Sequence, residues 1–119
     1  MRVLIVEDDE ANKLVIKDLI EMIYDVDVVV TSNGLEALEM LEKEKFDIVL
    51  SDIKLPKMDG YEFIKEFKKR YSIPAVAITA FAVDGDREKI LDAGFDDYVA
   101  KPVDFDELQQ ILDKYLDRR

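Results

Sequence analysis

The residues best equipped for chemistry in this chain stand directly after its most apolar runs. Glu7-Asp8-Asp9 follows Val3-Leu4-Ile5-Val6, and Ser51-Asp52 follows Ile48-Val49-Leu50. Thr79 follows Ala75-Val76-Ala77-Ile78, and Lys101-Pro102 follows Tyr98-Val99-Ala100. If these runs are neighbouring parallel strands, all of the groups emerge on one edge of a sheet, the edge at which open α/β sheets bind ligands. Acids gathered in one site disfavour each other's ionisation unless a cation joins them. A hard divalent ion with oxygen ligands, such as magnesium, meets that need. The pattern is that of a metal held beside one reactive aspartate.

The elements that must position these groups appear as alternating periods. Candidate strands are Val3 to Val6, Val26 to Val30, Phe46 to Leu50, Ala75 to Ile78 and Tyr98 to Ala100. The first, third and fourth are near-continuous apolar runs, as expected of strands covered on both faces. Between them, Ala11, Leu14, Val15, Leu19 and Met22 share one helical face; Ala37, Leu38 and Leu41 begin a second; Phe63, Ile64 and Phe67 make a third. Ile90, Leu91 and Ala93 offer a shorter fourth face. In the last helix Asp104 serves as cap, with Glu107 completing a capping box, and Phe105, Leu108, Ile111, Leu112 and Tyr115 form the stripe predicted to be buried. Asn33 and Glu36 give a similar start signal, and Gly94 a stop. The order is (βα)₅, and right-handed crossovers place helices on both faces of a parallel sheet.

Composition narrows the functions available. A chain of 119 residues with 49% hydrophobic and 38% charged residues suits one folded domain, here 1–119. No apolar run approaches the length of a membrane span and no signal-peptide pattern opens the chain, so a cytoplasmic location without a membrane anchor is expected. A net charge of −11 argues against direct nucleic-acid binding, which depends on neutralising phosphates. With no cysteine and no histidine, the chain has no thiol nucleophile, no imidazole base and no histidine-ligated zinc. Any phosphohistidine chemistry must come from a partner. Two Asn and two Gln against abundant Lys and Glu lean toward a thermophilic source.

The strand-end motifs resemble those of a known family. Val-Glu-Asp-Asp, Ser-Asp-Ile-Lys-Leu-Pro-Lys-Met-Asp-Gly around Asp52, Ile-Thr-Ala at Thr79 and Asp-Tyr-Val-Ala-Lys-Pro ending at Pro102 are similar to the receiver domain of two-component response regulators, including the chemotaxis-type single-domain regulators. The resemblance runs from Val3 to about the end of the last helix. It implies a flavodoxin-like, doubly wound five-stranded sheet of order 2-1-3-4-5, which brings Glu7, Asp8 and Asp52 together. It further implies that Asp52 is a phosphoacceptor. Mg²⁺ would be ligated by Asp52, by Asp8, by Glu7 directly or through water, and by the backbone carbonyl of Lys54. By the same resemblance Lys101 pairs with Asp52 and then with the phosphoryl group, before a cis Lys101–Pro102 bond. The Thr79 hydroxyl bonds a phosphoryl oxygen, and its inward shift frees space for the Tyr98 ring. The implied partners are a histidine kinase or histidine phosphotransfer protein upstream, and an effector protein or output domain reading the fourth helix, fifth strand and fifth helix. Catalysis is limited to the chain's own phosphorylation and dephosphorylation.

Simpler roles exist for each group. One acid of Glu7-Asp8-Asp9 suffices to cap a helix, and Asp9 fits that role. Asp52 precedes Leu55-Pro56 and Asp59-Gly60, a turn-rich loop expected to leave it exposed. Tyr98 also reads as a half-buried strand aromatic, and Phe63, Phe67 and Phe105 read as core. A haloacid-dehalogenase-like hydrolase would need a second Asp where Lys54 stands, and a flavodoxin-like cofactor binder would not place Glu7-Asp8-Asp9 against a phosphate. In the resembled family the residues two after the phosphoacceptor and two after the threonine flank the attacking water. Here they are Lys54 and Phe81, neither able to orient it, so slow dephosphorylation is expected.

Overall fold

Five short runs rich in Val, Ile, Leu and Ala form the strands of one parallel sheet, and the polar residues after them sit along one edge. In the computed structural model, residues 1–80 and 86–116 are described. The strands are β1 (Arg2–Val6), β2 (Asp27–Thr31), β3 (Ile48–Asp52), β4 (Ala75–Thr79) and β5 (Asp97–Ala100). Alternating with them are α1 (Glu10–Ile23), α2 (Gly34–Lys43), α3 (Gly60–Lys68), α4 (Asp86–Ala93) and α5 (Phe105–Tyr115). The order is β2-β1-β3-β4-β5, every pair parallel, as the family resemblance implied. The predicted ends of β2, β3 and β4 fall one or two residues short, while those of β1 and β5 match. Asp52 and Thr79 are the last ladder residues of β3 and β4, and Asp52 lies opposite Ile78.

Alternation along the strands divides the core in two. Leu4, Val6, Val49, Ala75 and Ala77 face α2, α3 and α4, where they meet Ala37, Phe63, Phe67 and Ile90. Val3, Ile5, Leu50, Val76 and Ile78 face α1 and α5, against Ile16, Ile20, Leu108 and Leu112. Burying each such large side chain is worth about 1.5–3 kcal/mol.

The face of α1 differs from the expected one. Ile16 and Ile20 point inward, whereas Leu14, Val15 and Met22 are exposed at 60%, 51% and 75%. The helix carries two apolar stripes, and the crossover from β1 selects the Ile16/Ile20 stripe for the core. Phe105 and Leu91 are likewise outside, because only one side of each short helix meets the sheet. Four helices open on an acid or amide cap, with Asp9, Asn33, Asp59 and Asp104 each accepting the backbone N–H three residues on. Gly94, at φ +123°, stops α4 in a conformation that side chains resist.

Candidate functional site

At the C-terminal edge of the sheet, one ammonium joins two buried acids. Lys101 leaves β5 with its backbone N–H bonded to the Thr79 carbonyl at 2.8 Å. Its Nζ donates to Glu7 Oε1 and to Asp52 Oδ2, both at 2.7 Å. Burial pulls the Lys101 pKa down, but the hydrogen bonds and charges of Asp52 and Glu7 outweigh it and leave it raised. The Lys101–Pro102 peptide is cis, as the resemblance implied.

Asp52 is not exposed by its turn-rich loop, contrary to expectation; it is 8% accessible. The loop folds back instead of swinging clear. Gly60 N–H donates to Ile53 O at 2.8 Å, and the Gly60 backbone lies so close that an added Cβ would stand 2.5 Å from Asp52 O and 2.7 Å from Ile53 Cα. The other Asp52 oxygen, Oδ1, accepts the Ile53 N–H at 2.7 Å. Ser51, wholly buried, donates its hydroxyl to Asp52 O at 2.9 Å.

The three acids separate into distinct roles. Glu7 is 2% accessible, and its Oε2 accepts the Asp9 N–H at 3.2 Å. Asp8 is exposed beside it. Asp9 turns away to cap α1 through Asn12 N–H at 3.0 Å, the role its position suggested. One carboxylate oxygen from each of Glu7, Asp8 and Asp52 lies within 4.8 Å of the others. Three formal negative charges against the single Lys101 ammonium leave two, all on hard oxygen donors. That donor set fits magnesium and is unsuited to soft metals. A cleft lined by Asp8, Ile53, Lys54, Tyr61 and Lys89 opens beside it.

Thr79 and Tyr98 are also close in the fold. Thr79, fully buried, ends β4 opposite Ala100, and Tyr98 lies opposite Ala77. Strand alternation puts all four side chains on the α4 side of the sheet. Tyr98 is half-buried there. Phe81 lies outside the described residues.

Sequence reasoning missed three participants. Lys13 is buried on the inner face of α1, its Nζ bonded to Ser32 Oγ at 2.5 Å and Glu10 Oε1 at 3.0 Å. Its spacing from Ile16 and Ile20 was the available signal. Arg87 and Lys89 of α4 stand over tyrosine rings, Arg87 Cζ 5.8 Å from the Tyr98 centroid and Lys89 Nζ 4.7 Å from that of Tyr61. Such contacts between separate elements leave no local mark in the chain.

Comparison with known proteins gives a consistent picture. Residues 3–113 match the family model described as response regulator receiver domain. The polar-differentiation response regulator DivK of Brucella anthropi is 38% identical over 117 residues, covering 96% of this chain and 94% of that protein. Among solved structures, the receiver domain of a sensor histidine kinase from Pseudomonas aeruginosa PAO1 superposes with a TM-score of 0.88 at 35% identity over 98% of both chains; it holds a magnesium ion coordinated in its active site cleft. The receiver domain of the response regulator Ssk1 of Saccharomyces cerevisiae, crystallised with the histidine phosphotransfer signalling protein Ypd1, has a TM-score of 0.87 at 26% identity, covering 97% of this chain and 88% of that one. Motifs, sheet order, acid cluster and family match agree: the chain belongs to the response regulator receiver domain family.

Proposed function

We propose that Asp52 accepts a phosphoryl group from a partner's phosphohistidine and that the modified domain then signals to an effector. The observation that carries this reading is the Lys101 ammonium bridging Glu7 and Asp52 at 2.7 Å each, on the edge where the sheet delivers Asp8 and Thr79. In the transfer, an Asp52 carboxylate oxygen attacks phosphorus in line. The new O–P bond forms as the P–N bond breaks, and the donor imidazole leaves with its electron pair and is protonated. Lys101 is placed to follow the charge from carboxylate to phosphoryl oxygen, and the Thr79 hydroxyl to donate to another. Glu7, Asp8, Asp52 and the Lys54 carbonyl would hold magnesium, which when bound supplies the charge that screens the phosphoryl oxygens from the acids.

The donor side has a surface to match. Exposed Leu14 and Val15 on α1 adjoin a groove lined by Asn12, Val15, Pro102 and Val103, which runs to Lys101. A helical histidine kinase or histidine phosphotransfer partner fits an apolar helix face beside the site. The Ypd1 complex of a related receiver supports that class of donor. Among the described residues no helix is long and apolar enough to cross a membrane. The reading places the chain in the cytoplasm, with its surface of α4, β5 and α5 addressed to the effector. Beyond its own phosphorylation and dephosphorylation it is not an enzyme.

Intact-mass measurement tests the reading. Acetyl phosphate with magnesium is expected to add one phosphoryl group, which EDTA prevents and Asp52→Asn abolishes. Equal labelling of Asp52→Asn would overturn the assignment.

A further inference from the structure

The loop between β3 and α3 contains a strained turn. Met58 N–H bonds to Pro56 O at 2.7 Å, two residues back, with Lys57 between them at φ +64°. A three-residue turn with a positive central φ is rare, and it costs most at residues other than glycine. Such a conformation persists only where the surrounding structure holds it in place.

Gly34, the first residue of α2, supplies that hold. Its N–H donates to Met58 O at 3.2 Å, directly after the turn. The two segments lie so close that a Cβ on Gly34 would stand 2.8 Å from Met58 Cγ and 3.0 Å from both Met58 O and Sδ. Only a hydrogen fits between them. The base of the same loop is tied by the Gly60 N–H to Ile53 O, so the loop is fastened at its base and pressed at its apex. Between these ties, Ile53, Lys54, Leu55 and Pro56 line the cleft beside Asp8. Pro56 has a fixed φ and Lys57 is confined by its turn, so few soft torsions separate Met58 from Lys54. A shift of Met58 is therefore passed to the cleft wall instead of being absorbed.

We propose that Gly34 is a positioning residue, whose close seat on Met58 sets the shape of the loop that carries the Lys54 carbonyl and so tunes magnesium affinity. The proposal rests on the magnesium-binding reading of the site and adds to it a residue of α2 that lies outside the cleft lining. Groups that orient a metal ligand without touching the metal change affinity about 10–100-fold when altered. Glu7 and Asp8 belong to a different segment and stay in place, which favours the low end, about tenfold.

The experiment measures magnesium affinity of the full chain by calorimetry, with urea unfolding in EDTA alongside, on wild type, Gly34→Ala, Met58→Ala and the double variant. Gly34→Ala is expected to bind magnesium about tenfold more weakly than wild type. Met58→Ala is expected to lose less, about threefold, because the Gly34 N–H still holds the residue 58 carbonyl. Adding Gly34→Ala to Met58→Ala is expected to change affinity little, since the crowded side chain is gone. A role confined to stability would lower the urea midpoint of Gly34→Ala and leave the magnesium Kd of the folded protein unchanged. That result overturns the proposal, as does an equal loss of affinity with and without the Met58 side chain. Should Gly34→Ala fail to fold, Met58→Ala decides the question, and wild-type affinity in that variant overturns the proposal. If wild type itself binds no magnesium, the metal reading falls and this proposal with it.

Discussion

Replacing Lys101 by Met isolates the centre of the site. The Lys101 ammonium lies 2.7 Å from an oxygen of each of two acids, Glu7 and Asp52, that are 2% and 8% accessible. At an effective dielectric constant near 20, each contact is worth about 6 kcal/mol of attraction before desolvation is counted. Most of that is offset by the cost of taking the charges out of water. Removing one member of a buried pair nevertheless costs about 3–5 kcal/mol, because the remaining charge is left uncompensated. Each acid here keeps a backbone N–H, from Ile53 or Asp9, which favours the low end, about 3 kcal/mol. The variant should also bind magnesium more tightly than wild type, since no ammonium competes for the same oxygens. A ligand bound only by the folded state adds about 1.4 kcal/mol of stability for every tenfold rise in concentration above its Kd. Urea unfolding followed by circular dichroism, first in EDTA and then across a magnesium series, measures both effects. A loss below about 1 kcal/mol in EDTA, or magnesium stabilisation no greater than in wild type, would refute the reasoning. Phosphoryl transfer to the variant should be slow even where magnesium has restored its stability.

Other substitutions separate ligand, cap, packing and lifetime. Asp8→Ala is expected to weaken magnesium binding about tenfold or more with little effect on stability, while Asp9→Ala removes the α1 cap at a cost of about 1 kcal/mol and leaves magnesium affinity intact; the reverse result would move the acidic register by one residue. Gly60→Ala should cost about 1–3 kcal/mol and slow phosphorylation, since the new methyl meets the Asp52 and Ile53 backbone, and a stable, fully active variant would show that the loop adjusts freely. The phosphorylated wild type is expected to lose its phosphoryl group slowly, and Lys54→Asn/Phe81→Glu to lose it faster; equal decay would end the view that Lys54 and Phe81 fail to orient water.

The chain announced much of this locally. Strands covered on both faces need continuous apolar runs, so Val3–Val6 and Ala75–Ile78 stand out, and whatever follows them must reach the ligand edge. Caps act within one turn, which is why Asn33, Asp104 and Gly94 were readable as boundaries. The order of the four motifs identified the chemistry and, through resemblance, the sheet order that joins Glu7, Asp8 and Asp52.

Other features depend on residues distant in sequence. The sequence reading chose the Leu14/Val15/Met22 stripe of α1, whereas Ile16 and Ile20 are the buried ones; both stripes are apolar, and the direction in which β1 hands the chain to the helix made the choice. The burial of Asp52 depends on Gly60 allowing the loop to close onto the strand end. Lys101 meets Glu7 as well as Asp52 because β1, β3, β4 and β5 lie side by side at matched register. Arg87 reaches Tyr98 only through the packing of α4 against the sheet. Sequence by itself determined which groups are present and which edge they share, since those follow from period and local capping. The tertiary structure decided which groups are buried and which charges meet, because burial and pairing depend on atoms brought together from separate elements.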